Sequence, residues 1–151
     1  MDWTYFLPCL WAFLACLGFC VILNVRTGTL ICCAGGALGW LVYLLACLGG
    51  WSDLIGFFLA AMAIAAYSEI MARIRKCPVT GYLLISFLPL VPGAGIYNTM
   101  KYALQGDIEL FLEQGLHTLG LAACLSVGVL VVSSAVRMFL TFKMKMRRRK
   151  P

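Results

Sequence analysis

Apolar residues run along this chain in long blocks, near 4–24, 29–49, 53–73, 79–104 and 114–141. A hydrocarbon layer roughly 30 Å thick takes about 20 apolar residues per helix, so each block predicts one transmembrane helix and the chain reads as an all-α integral membrane protein of about five spans. Short separators stand between the blocks: Asn24-Val25-Arg26-Thr27-Gly28, Gly49-Gly50-Trp51-Ser52-Asp53, Arg73-Ile74-Arg75-Lys76-Cys77-Pro78 and Gln105-Gly106-Asp107. None is long enough to divide the chain, so residues 1–142 read as a single transmembrane domain and 143–151 as a basic tail.

The fourth block departs from the pattern. Between Ser86 and Thr99 it carries Pro89, Pro92, Gly93 and Gly95. Proline cannot donate a backbone hydrogen bond and collides with the preceding turn, and glycine relaxes the chain further. Two half-helices meeting near the bilayer midplane are expected, with the break at Pro89 to Gly95. Irregular backbone at that depth is tolerated only against protein or a water-filled cavity, which makes the break a candidate binding site. The second half-helix would start near Gly93, leave the amides of Ala94, Gly95 and Ile96 unpaired, and aim its positive dipole end into the cavity. A carboxylate suits such an end. Asn98 and Thr99 on the next turn, and Ser86 before the break, add polar side chains. The competing reading is a proline kink used only for packing. A binding role predicts that a bulky residue at Gly93 or Gly95 stops transport while assembly persists, whereas a scaffold loses assembly first.

Composition agrees with the block pattern: 63% of the 151 residues are hydrophobic and 12% charged, against roughly 45–50% apolar in soluble domains. The first block lacks the basic leader of a signal peptide and is read as a retained helix. The net charge of +6 is concentrated at helix ends and in the tail, which speaks against a nucleic-acid surface and for topology. Arg26, then Arg73, Arg75 and Lys76, then Lys143 to Lys150 fall on one side; Asp53, Asp107, Glu109, Glu113 and the lone cation Lys101 fall on the other. Positively charged loops stay cytoplasmic, so the N-terminus is placed outside and the C-terminus inside, in a multi-pass protein of the cell membrane. Arg137 is near enough to the inner end of the last helix to snorkel. The tail reads as an orientation signal that also touches anionic lipid. Trp3, Tyr5, Trp40, Tyr43, Trp51 and Tyr102 read as interfacial anchors.

Isolated polar residues offer coupling candidates. Glu69 lies four residues before Arg73, and an acid in a span invites a coupling role, although an ordinary helical pair suffices. His117, one turn after Glu113, could exchange a proton with it or be merely hydrogen-bonded. Asp107 and Glu109 suit the start of the last helix, and Asn24 the end of the first. The eight cysteines lack metal-ligand spacing and read as small packing residues. Small residues, Gly35, Gly36 and Gly39 in the second block and Ala60 to Ala66 in the third, predict close helix packing. No nucleophile elbow, phosphate loop, zinc signature or dinucleotide fingerprint occurs, so no enzymatic activity, cofactor or metal is expected.

At the broken block the chain resembles the threonine/serine exporter family, in particular the short YjjB-like subunit of its split, two-component branch. The matching residues are Gly18-Phe19 followed by Asn24-Val25, the glycines of the second block, and Pro89-Leu90-Val91-Pro92-Gly93 with Ile96-Tyr97-Asn98-Thr99-Met100. The Pro-x-x-Pro-Gly stretch is the most specific of these, while length, helix count and basic tail extend the likeness over nearly the whole chain. The resemblance implies a partner, a larger subunit with a five-helix membrane region and an additional soluble domain. It also implies threonine, serine or, for split members, dicarboxylates such as succinate as substrate. An odd span count would invert one half against the other, as in many secondary transporters. A homo-oligomer is left open where the partner is missing.

Overall fold

A computed structural model describes residues 7–24 and 29–148. Trp3, Tyr5, Val25, Arg26, Arg149 and Lys150 lie outside the described residues. The elements are α1 (Leu7–Ile22), α2 (Thr29–Leu48), α3 (Asp53–Arg75), α4 (Val79–Phe87), a 3-10 turn (Leu88–Leu90), α5 (Gly93–Gln105) and α6 (Ile108–Arg148). No strand occurs among the described residues. Both α3 and α6, the latter over Ile108–Phe142, are individually long and apolar enough to cross a bilayer, and Val79–Leu90 with Gly93–Gln105 are so as a pair bent by 52°. Over their described lengths Leu7–Ile22 and Cys33–Leu48 are shorter apolar helices.

Local chemistry sets the ends. Asn24 takes a left-handed conformation (φ 50°) and donates its amide to Val21 O at 3.1 Å, as a helix-terminating asparagine does. Gly106 (φ 74°) ends α5, with its own amide on Ala103 O and the Asp107 amide on Tyr102 O. Asp107 then caps the next helix by accepting from the Leu110 amide at 3.2 Å. That cap is why α6 starts at Ile108, six residues before the apolar block that marks it in the sequence; hydropathy registers the membrane-facing part of a helix, and capping registers its true start. At the far end lysine and arginine are good helix formers, and the helix runs on through the basic tail to Arg148.

The interior is built from small residues and the exterior from large ones. Ala60, Ala61, Ile64, Ala65, Ser68 and Ala72 of α3 are buried, while Trp11 is 62% and Val21 78% exposed on α1. A soluble protein hides its large apolar side chains, whereas helices packed in lipid put small residues between them and leave large ones to the acyl chains. α3 is the central element, touching α2, α4 and α6. A Cβ at Gly39 of α2 would fall 2.8 Å from Ile64 Cγ1 and 3.1 Å from Leu90 Cδ1, and one at Gly128 of α6 would fall 2.9 Å from both Ala61 Cβ and Phe58 O. Neither helix could come so close with a side chain there.

These contacts also fix direction. Gly56 of α3 meets Tyr43 and Ala46 of α2, and Gly39 meets Ile64, so α2 and α3 are antiparallel. Gly120 meets Leu54, and Gly128 meets Ala61, so α3 and α6 are parallel. The basic ends of α3 and α6 therefore share one end of the bundle, and Asp53 lies at the other with the start of α6. Ile64, which meets Leu90 at Gly39, is the middle residue of α3. The break between α4 and α5 thus begins level with the middle of the central helix.

Two prolines orphan two carbonyls at that level, and each finds a donor. Pro89 leaves Ile85 O without its helical partner; the Cys16 thiol of α1 donates to it at 3.4 Å. Pro92 leaves Leu88 O, which accepts from the Val91 amide at 3.3 Å. Gly36 makes room for both Cys16 and Pro89, since a Cβ there would run into the Cys16 sulfur and sit 3.5 Å from Pro89 Cγ. A cysteine of the packing core thus also serves the broken backbone.

Gly39→Leu should lower the thermal unfolding midpoint of the purified protein by an overpacking cost of about 1–3 kcal/mol, while Gly18→Ala, with nothing within 4 Å of its Cβ, should not. Cys16→Ala should cost about 1–2 kcal/mol by unpairing a buried carbonyl, and Cys16→Ser, which keeps a donor, should recover part of it; equal losses in both would assign the cost to packing alone.

Candidate functional site

The chain turns at Pro92, whose φ of −74° and ψ of 59° make an inverse γ-turn closed by the Gly93 amide on Val91 O at 2.7 Å. α5 begins at Gly93. Its first amides differ from the sequence expectation in one respect: Ile96 N–H is taken by Pro92 O at 3.1 Å, because the helix already winds back onto the proline carbonyl. Among the described residues Ala94 and Gly95 are left as the two amides at this end without an acceptor.

α5 packs on α6 and scarcely on anything else, and none of its residues is fully buried. The two helices are antiparallel. A Cβ at Gly95 would fall 2.5 Å from Thr118 Oγ1, and one at Gly115 would fall 3.3 Å from Thr99 Cγ2. Beside this seam lies a groove of about 500 Å³, with Pro92, Ile96 and Thr99 on one wall and Phe111, Thr118 and Leu119 on the other. Thr99 and Thr118 are the polar side chains of an otherwise apolar lining, and Thr118 is buried. Thr99 donates to Gly95 O at 2.8 Å and Thr118 to Gln114 O at 2.7 Å. Each hydroxyl hydrogen is therefore spent on its own helix, and the oxygens keep acceptor lone pairs. The amides of Ala94 and Gly95 lie at the head of α5, outside the residues that line this almost wholly apolar groove.

Of the residues singled out in the sequence, Pro92, Ile96 and Thr99 line the groove, and Gly95 sits against Thr118 beside it. Gly93 and Ala94 are exposed at the head of α5, and a Cβ at Gly93 would meet nothing within 4 Å. Asn98 is half-buried and is not part of the lining. Ser86 and Pro89 face α2 instead: Ser86 is buried against Gly35, and Pro89 approaches Gly36. A seven-residue stretch of broken helix presents its side chains in several directions, so proximity in sequence does not bring them to one cavity.

The coupling candidates separate in the same way. Glu69 Oε2 pairs with Arg73 Nη2 at 3.2 Å, the one ion pair among the described residues, with the Glu69 side chain only 12% exposed. Glu113 and His117 are exposed on α6 and form no ion pair with each other. The residues absent from the sequence reading are Phe111, Gly115 and Thr118. Their spacing, continued by Ala122, is that of one helix face, and a polar Thr118 next to Gly115 within an apolar run was the available signal. No group of three or more His, Cys, Asp or Glu residues that could hold a metal ion occurs among the described residues.

An all-helical chain with large apolar side chains outside and small ones inside has the build of a membrane protein. A family model described as "Threonine/Serine exporter, ThrE" matches residues 8–135. No curated protein and no solved structure matches the chain. The matched stretch takes in α1 to α5 and most of α6, and on that extent the chain belongs to the threonine/serine exporter family.

Proposed function

We propose that this chain is the short membrane subunit of a two-component secondary exporter that moves small carboxylate-bearing metabolites, threonine and serine first. It acts with a larger membrane subunit that has five membrane helices and an additional soluble domain. The observation that carries the reading is the pairing at the head of α5. Two unpaired amides, Ala94 and Gly95, suit a carboxylate, and the lone pairs of Thr99 and Thr118 suit an ammonium group. An α-amino acid bears both on one carbon. A dicarboxylate such as succinate would use the amides and leave the threonine oxygens without a donor, so it ranks below the amino acids.

In this reading α4 and α5 together form the fourth of five spans, in a single transmembrane domain over residues 1–142, with the N-terminus outside and the tail of residues 143–151 in the cytoplasm. The common end reached by Arg73, Arg75, Lys76 and Lys145 supports that orientation. The level of the break with the middle of α3 supports a site deep in the bilayer. The two subunits would alternate access about it. Glu69, Glu113 and His117 are coupling candidates from outside the groove, with Glu69 held by Arg73.

A second reading, a scaffold that stabilises a partner membrane protein, is favoured by one observation. α5 leaves Tyr97, Met100 and Leu104 uncovered, the last 90% exposed. The readings part on flux.

In cells preloaded with amino acids, the pair of subunits should export threonine or serine and each subunit alone should not. Thr118→Val should weaken apparent affinity roughly tenfold or more, as loss of a charge-assisted hydrogen bond does, and Gly95→Leu should abolish flux with the complex still assembled. Unchanged flux in both variants would remove the groove from the mechanism, and loss of assembly in Gly95→Leu would favour the scaffold. Gly93→Leu, at an open position, is the weaker probe. For topology, a reporter active only in the cytoplasm should work at the C-terminus and fail at the N-terminus.

A further inference from the structure

A second cavity, of about 770 Å³, lies at the basic end of the bundle. α3 forms its floor, and α4 and α6 form its walls; both walls pack on α3, yet they scarcely touch each other, so the cleft is open between them. Its polar groups are Glu69, Arg73, Thr80, Ser133 and Arg137. Its apolar surface includes Leu83, Val129, Val136 and Leu140. The register set by Leu54 against Gly120 brings Arg137 level with the turn from Glu69 to Arg73.

The charges do not cancel. Glu69 is matched by Arg73 at 3.2 Å, while Arg137 has no acidic partner within ion-pair distance among the described residues. The cleft therefore holds one uncompensated guanidinium beside a second that points into the same space, with two hydroxyls nearby. A guanidinium pair of this kind selects a multi-oxygen anion such as a phosphate. Arg73 lies two residues from the end of α3, at the depth where a membrane helix meets the headgroups. Inward from the arginines the lining continues with Ser133 and Val129 of α6 and Leu83 of α4. A small hydrophilic anion would leave those walls wetted, whereas an amphiphile with a phosphate at one end and an acyl chain at the other covers both.

We propose that the cleft between α4 and α6 binds an anionic phospholipid, its phosphate held by Arg73 and Arg137 and one acyl chain laid inward along Leu83 and Val129. The site is separate from the groove at α5 and does not rest on the export reading. It wedges the gap between α4, which leads into the broken helix, and α6, which carries the opposite wall of the groove. Basic pockets between membrane helices on the cytoplasmic side are a recurrent place for anionic headgroups.

The test uses the full chain in detergent, titrated with phosphatidylglycerol, phosphatidylcholine or inorganic phosphate and read by native mass spectrometry, with helical content checked by circular dichroism. Phosphatidylglycerol should bind more tightly than phosphatidylcholine. Arg137→Gln should weaken it roughly fivefold, the contribution of one basic residue of about 1 kcal/mol. Val136→Trp, which fills the cleft level with Arg137, should expel the lipid without changing any charge. Lys143→Gln with Lys145→Gln, in the tail beyond the cleft, should keep the preference. Equal binding of the two lipids overturns the proposal, as does full preference in Arg137→Gln or in Val136→Trp. Displacement of the lipid by inorganic phosphate at equal concentration would assign the site to a free anion and overturn the lipid assignment.

Discussion

In a hydrocarbon layer a backbone N–H or C=O has no water to fall back on, so every departure from helix must be repaired by protein. In this chain the departure is concentrated between Leu88 and Gly93, and much of the structure serves it. The Cys16 thiol reaches across from α1 to Ile85 O, the Val91 amide takes Leu88 O, and Pro92 closes a γ-turn that starts the next helix. Gly36 leaves room for the Cys16 sulfur that serves the break, and Gly39 for Ile64 and Leu90. α1 and α2 thus support the break.

The same repair defines where a solute can be held. Once Gly93 and Ile96 have found acceptors, the donor capacity left at the head of α5 is two amides. The hydroxyls of Thr99 and Thr118 spend their hydrogens on carbonyls of their own helices. In the proposed reading, this donor pair and the threonine oxygens together would discriminate a zwitterion from a simple anion.

Parallel packing of α3 and α6 couples this site to the rest of the molecule. It gathers the basic residues at one end, opens the cleft between α4 and α6 beside Arg73 and Arg137, and leaves the opposite end of α6 to carry α5. α6 spans 41 residues, or about 60 Å at the helical rise, roughly twice a hydrocarbon layer. Its two ends therefore serve different purposes: one packs on α5 to build the groove, and the other extends the charged tail.

The sequence by itself determined the number and rough limits of the apolar blocks, the position of the break and the clustering of positive charge, because these depend on local properties: hydropathy over a window, the missing N–H of Pro89 and Pro92, and the charge of arginine and lysine. It also determined the Glu69–Arg73 pair and the Asp107 cap, which are made within four residues along one helix. Tertiary structure alone decided which residues share a cavity. Ser86 and Pro89 turn toward α2, while Thr118 and Phe111, distant in sequence, complete the wall opposite Thr99. It also decided that Cys16, indistinguishable in sequence from the other core cysteines, serves Ile85 O across 69 positions. A helix presents residues around its whole circumference, and which face meets which neighbour follows from close packing of small residues on other helices, information that no local window contains.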